Sequence, residues 1–261
     1  ILAYYDFGRR EVIARWDTPT AEALPVSLRV TIVHELTHTM QDQRLDVRRL
    51  ESTALDVQGQ DAVTSLMEGH AVDVENAYLD TLSDADREAY QRESSAMSDR
   101  IDKRVGAVAP VTSTSLDAPY VFGPALVTAA RRSKAGVAQL FVRPPLSMDQ
   151  VIDPRRYFAS SERVALEDPT LPADWTGAEV DGGTVGMLVL YLTLASALKP
   201  ADAWAAASLW GNDDYAAAHV TDAGRVCVVW EVAAALPTGT PTLRAALETW
   251  ARSRVTAANA S

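Results

Sequence analysis

Val33-His34-Glu35-Leu36-Thr37-His38 places two imidazoles and one carboxylate where a metal site would need them. On a helix, residues four apart lie one above the other on a single face, so His34 and His38 can both reach one ion. That spacing suits tetrahedral zinc, with Glu35 beside the pair, close enough to touch a water held by the metal without being a ligand. In that position Glu35 is the candidate general base, drawing a proton from a water whose pKa zinc brings down towards 7. The flanking sequence supplies the helix: after Pro25, suited to a first helical turn, Val26, Val30, Val33, Leu36 and Met40 recur at intervals of three and four and predict a buried stripe.

A catalytic zinc site normally has three protein ligands and one open position. A glycine three residues and a histidine six residues after His38 would supply the third as in the metzincins, but Gln41 and Arg44 stand there. The other common route is a glutamate from a following helix. Glu68 lies in a second helical pattern carrying Val63, Leu66, Met67, Val74, Tyr78 and Leu82. A carboxylate between Leu66, Met67, Gly69 and Ala71 is costly to bury unless it is paired or bound to metal, so Glu68 is the expected third ligand. Gly69 weakens a helix interior and therefore suggests a close approach between helices. His70, two residues from Glu68, points to a different face; it reads as a partly buried histidine or as a group in the cleft. Gln41 and Asp42 are placed to hold a ligand imidazole by its other nitrogen, with Asp61 and Asp73 as competitors.

The runs HELTHTMQDQRLD and LMEGHA resemble the bacterial HExxH-plus-EGxA group of predicted zinc metallopeptidases, which belong among the gluzincins, the class typified by thermolysin. PYVFGPALV, RPPLSMDQVIDPRRY and LWGNDDY resemble further segments of that group, so the likeness spans nearly the whole chain. It carries over His34, Glu35, His38 and Glu68, and departs at His70, where the group often has an acidic residue. It implies Zn2+ as cofactor, a peptide or protein substrate, and an exported protein or one held at the bacterial envelope. Peptide hydrolysis also needs a donor to the oxyanion; Tyr120, Tyr157, Tyr215, His219 and Arg131 are the candidates, with Tyr120 favoured through the segment it shares with the group.

Composition agrees with a compact enzyme. The chain has 261 residues, 48% of them hydrophobic, and a formal charge of −11, which argues against a nucleic-acid footprint or attraction to anionic lipid. No window is apolar for long enough to span a bilayer. Cys227, the single cysteine, sits in an apolar run and reads as a small buried residue. No signal peptide is present and the chain starts inside an apolar run, which reads as a mature or trimmed form.

The expected fold is α+β and mostly helical, zincin-like, forming one domain over 1–261 that divides into a zinc-binding lobe at 1–106 and a helical lobe at 107–261, the latter forming the other wall of the cleft. In order, we expect a β-hairpin over 1–16 that either receives a substrate strand or only covers the core, a connector over 17–24, the two metal-bearing helices within 25–82, and a solvated helix over 83–105. A linker over 107–119, helices over 120–140, 185–198, 201–210 and 243–254, and a turn at 211–214 complete the reading. Residues 225–236 fit either a strand or a helix. The alternative function, from a different class, is a non-hydrolytic envelope binding protein whose zinc site is closed by a fourth side chain, and a third is a zinc hydrolase acting on a non-peptide amide.

Overall fold

The computed structural model describes residues 2–15, 24–54, 56–105, 110–173, 175, 179–220 and 225–258. The chain is mostly helical, with a two-stranded sheet and a separate three-stranded sheet. It forms two compact units, one of Ile1–Thr53 with Ala62–Pro145, the other of Ala54–Asp61 with Leu146–Ser261. Residues 110–145, expected in a second lobe, thus belong to the first unit, and the connector expected over 17–24 lies, apart from Leu24, outside the described residues. No helix among the described residues is long and apolar enough to cross a membrane.

The first unit opens with the expected hairpin. Strands β1 (Ala3–Asp6) and β2 (Glu11–Ala14) pair antiparallel with Tyr5 opposite Val12. Asp6 makes the turn, accepting the Gly8 and Arg9 amides at 2.9 Å, so a short acidic side chain folds the chain back on itself. Ala3 and Tyr5 alternate inward, and β1 lies on α1 (Val26–Arg44). The stripe its apolar residues predict holds only at the start of α1: Val26 and Val30 are buried, but Leu36 and Met40 are exposed, and His34, Thr37, His38 and Gln41 are buried instead. The ligand face is the core-facing face, and polar residues occupy it because each finds a partner there.

A short helix, α2 (Val47–Ser52), then precedes α3 (Val57–Thr81) and α4 (Asp84–Val105). Helix α4 is highly charged, yet it is more than a solvated face: Glu93 accepts the Ser27 amide at 2.8 Å and so caps the start of α1, where Pro25 offers no side-chain cap. The expected linker is helical from Pro110, where α5 (Pro110–Arg132) begins, and it continues through Pro119 and Pro124; residues 107–109 lie outside the described residues. Helix α6 (Ala138–Val142) closes the unit. Helices α3 and α5 cross backbone to backbone: a Cβ on Gly69 would lie 2.2 Å from the Gly123 carbonyl carbon, and one on Gly123 would lie 2.1 Å from the Ser65 carbonyl oxygen. Only two glycines facing one another permit that approach.

The second unit holds two short helices, α7 (Met148–Ile152) and α8 (Pro154–Phe158), then β3 (Glu179–Gly183), α9 (Met187–Ala195), α10 (Pro200–Ala207), β4 (Trp210–Val220), β5 (Arg225–Ala234) and α11 (Thr240–Ala258). The sheet runs β3-β4-β5, all antiparallel. Its core gathers Met187, Leu190, Leu194, Ala203, Trp210 and Leu243. The turn expected at 211–214 is strand instead. Asp213 is fully buried, its carboxylate accepting the Val185 and Gly186 amides and both the Trp210 and Trp230 indole N–H groups at 2.6–2.9 Å. A polar run read as a turn is therefore a strand carrying one buried, fully hydrogen-bonded carboxylate.

Candidate metal centre

Helices α1 and α3 bring His34, His38 and Glu68 together in the first unit. Nε2 of His34 lies 3.0 Å and Nε2 of His38 lies 3.4 Å from the same Glu68 oxygen, Oε2, and one potential ligand atom from each residue falls within 4.8 Å of the others. Ligands about 2.0–2.1 Å from a tetrahedral ion sit about 3.4 Å apart, so the donor set and its spacing fit such an ion. Among the described residues this group has three members.

Each imidazole is held by its other nitrogen. His34 Nδ1 is 3.1 Å from Glu75 Oε2, and Glu75 in turn accepts the Tyr90 hydroxyl of α4 at 3.1 Å. His38 Nδ1 lies 2.8 Å from Gln41 Oε1. Of the expected orienting groups, Gln41 takes the role. Asp42 instead accepts the Tyr5 hydroxyl at 2.8 Å and lies 3.4 Å from the Arg10 guanidinium; Asp73 pairs with Arg131; Asp61 does not line the cavity. Glu75 escaped the sequence reading, although it stands seven residues, two helical turns, after Glu68 and so on the same face. His70 is outside the donor group: its Nδ1 is 3.1 Å from Gln41 Nε2, and its ring meets Phe141 edge-on.

Electrostatics follow from these contacts. Burial pulls His34 down, but the carboxylates of Glu68 and Glu75 on its two nitrogens outweigh this and push it up to about 9. Burial pushes Glu68 up, and the two imidazoles reverse that, holding it down at about 2. Near neutral pH the pair is therefore an imidazolium beside a carboxylate. Burial likewise lowers His70.

Glu35 stands in the same cavity with its Oε2 accepting the Tyr5 amide of β1 at 2.8 Å. Leu2 and Asp6 carbonyls accept amides from the β2 side, so alternation turns the Tyr5 amide to the opposite, free edge of β1, which faces Glu35. Burial, more than any other influence, raises the Glu35 carboxyl above its ordinary value. Tyr120, delivered by α5 just after Pro119, stacks over His34 at 6.4 Å between ring centroids. Burial and then the charges of Glu68 and Glu35 push its hydroxyl up to about 12, so it stays a protonated donor, bonded to Glu68. Of the other oxyanion candidates, Tyr157, Tyr215, His219 and Arg131 do not line this cavity.

The cavity measures about 720 Å³, and every lining residue comes from the first unit. Among the described residues four carboxylates line it (Glu35, Glu51, Glu68 and Glu75), with aromatic rings at Tyr4, Tyr5, Phe7 and Tyr120, and no lysine or arginine. Compared with protein-family models, with curated proteins and with solved structures, the chain finds no significant match in any of the three.

Proposed function

We propose that the first unit is a zinc-dependent hydrolase of peptide bonds, gluzincin-like in its ligand set, with His34, His38 and Glu68 as ligands and Glu35 as general base. The observation that carries the reading is the convergence, among the described residues, of three donors beside a carboxylate that is not one of them. Three protein ligands leave a position for water or substrate, whereas a structural site is closed by a fourth. The non-hydrolytic alternative would need His70 or an aspartate as that fourth ligand, and His70 is turned to Gln41.

Zinc bound there would supply a Lewis acid and bring the pKa of water towards 7. The chain's own groups do the rest. Glu35, steadied by the Tyr5 amide on Oε2, takes the proton of the attacking water and delivers it to the leaving amine. Tyr120, kept protonated, turns its hydroxyl from Glu68 to the oxyanion that develops on the substrate carbonyl. Tyr4, Phe7 and Tyr120 are each about half exposed, and with the Glu51 carboxylate they favour apolar or cationic side chains over anionic ones. The resemblance also carries an exported or envelope-held location, which cell fractionation checks.

Zinc-loaded protein incubated with a mixed-sequence peptide library, its products read by mass spectrometry, tests the reading together with Glu35→Gln. We expect cleavage by the parent and a variant that keeps zinc with turnover reduced by orders of magnitude. Undiminished turnover in Glu35→Gln would remove Glu35 from the mechanism.

A further inference from the structure

We propose that Gln41 is a positioning residue whose single amide fixes which ring nitrogen His38 offers to a metal and, through the same group, the tautomer of His70. The consequence for metal binding rests on the metal-site reading above; the tautomers themselves do not.

Gln41 is fully buried, and all its contacts are internal. Its Nε2 donates to the Met67 backbone oxygen at 2.9 Å. A backbone carbonyl only accepts, so turning the amide over would set two oxygens face to face in a dry interior. The amide is thereby locked with Oε1 towards His38 Nδ1, 2.8 Å away. An amide oxygen also only accepts, so Nδ1 must carry a hydrogen, and the neutral ring keeps its lone pair on Nε2, the nitrogen 3.4 Å from Glu68.

The second hydrogen on Gln41 Nε2 points to His70 Nδ1 at 3.1 Å, which makes that nitrogen an acceptor and leaves the His70 hydrogen on Nε2. One glutamine thus sets two histidines, and it does so before any metal arrives. Met67 directly precedes Glu68, so the same side chain also ties α1 to α3 beside the third ligand. His34 is held differently: both its nitrogens are hydrogen-bonded to carboxylates, whereas His38 has the neutral amide on Nδ1 and the Glu68 carboxylate 3.4 Å from Nε2. A leucine at 41 keeps most of the volume and none of the hydrogen bonds. A glutamate can still accept from His38 Nδ1 but, ionised, has nothing to donate to Met67 or His70.

The test is long-range proton–nitrogen NMR on metal-free protein with ¹⁵N-labelled histidine, at a pH where the rings are neutral, followed by zinc titration. We expect the parent to show His38 as the Nδ1–H form and His70 as the Nε2–H form. Gln41→Leu should give averaged tautomers at both rings and zinc affinity about 10–100-fold weaker, with the circular dichroism unchanged. Gln41→Glu should restore the His38 Nδ1–H signature and recover part of the affinity while His70 stays averaged, a rescue that lost packing alone would not produce. A parent His38 in the Nε2–H or a mixed form overturns the proposal, as does a folded Gln41→Leu that keeps both tautomers. Should Gln41→Leu fail to fold, the parent spectrum and Gln41→Glu decide. If the parent binds no zinc yet shows both expected tautomers, the positioning role stands and the metal reading falls.

Discussion

Replacing Gly69 by alanine sets helix propensity against packing and predicts which wins. In an exposed helix the change would stabilise by about 0.8–1.0 kcal/mol. Here the new Cβ would lie 2.2 Å from the Gly123 carbonyl carbon, 2.5 Å from its oxygen and 2.6 Å from its Cα. Ordinary carbon contacts are about 3.5–4.0 Å, so α3 and α5 must part locally by about 1.3 Å or more. The obstacle is backbone on both sides, and no side chain can swing away. Overpacking of this kind costs about 1–3 kcal/mol and occasionally more, and with rigid backbone opposite we expect the upper end, a net loss of about 2 kcal/mol. For a unit of this size that is a fall in Tm of several degrees, read by calorimetry on metal-free protein. The site should respond unevenly. His34, His38 and Glu68 ride on α1 and α3, whereas Tyr120 rides on α5 three residues before Gly123. Peptide turnover should therefore fall more than zinc affinity. An unchanged or raised Tm in Gly69→Ala would refute the backbone-to-backbone crossing and the reasoning built on it.

Tyr120→Phe should lower kcat by about 10²–10³-fold while leaving zinc affinity nearly unchanged, since the hydroxyl is assigned to the oxyanion; equal kcat in parent and variant would remove that role. The metal-free site should respond to pH in two opposite directions. The His34 value rises on folding from 6.5 to about 9, so its stabilisation is complete below 6.5 and disappears as pH climbs through 9; that of Glu68 drops from 4.5 to about 2, so its stabilisation is complete above 4.5 and disappears as pH descends through 2. Urea midpoints of chelator-treated protein should accordingly decline from pH 6.5 to 9, and His34→Gln should flatten that decline. Glu51→Lys should shift the cleavage preference away from basic side chains in a peptide library, and an identical product profile would show that Glu51 takes no part in selectivity.

The candidate metal site was the most legible part of the sequence, because four residues apart on a helix fixes the geometry of the two histidines regardless of what surrounds them. His34 and His38 share a face as their spacing required, Glu68 joins them as its apolar surroundings suggested, and Gly69 marks a helix crossing as its propensity cost suggested. What hid was whatever depends on partners far along the chain. The apolar residues of α1 were right at Val26 and Val30 and wrong beyond them, since Leu36 and Met40 are exposed and the buried face goes on through His34, His38 and Gln41, which find partners on α3. Asp213 sits in a run with every local mark of a turn, yet the Trp230 indole and two amides from distant positions, with the neighbouring Trp210 indole, make it a core residue. Residues 110–119 looked like a linker through their threonine, serine and proline content, but α5 runs through them. Glu93 and Tyr90 looked like part of a solvated helix, while the first caps α1 and the second supports Glu75 behind His34.

The central claim is a three-ligand zinc site with one open position, and zinc-edge X-ray absorption on protein loaded with one equivalent of zinc tests it most directly. The account predicts two nitrogen ligands from histidine, carboxylate oxygen, and a further oxygen from water, with one nitrogen lost in each of His34→Ala and His38→Ala. A zinc with four protein ligands, or a protein that takes up no zinc, would contradict it.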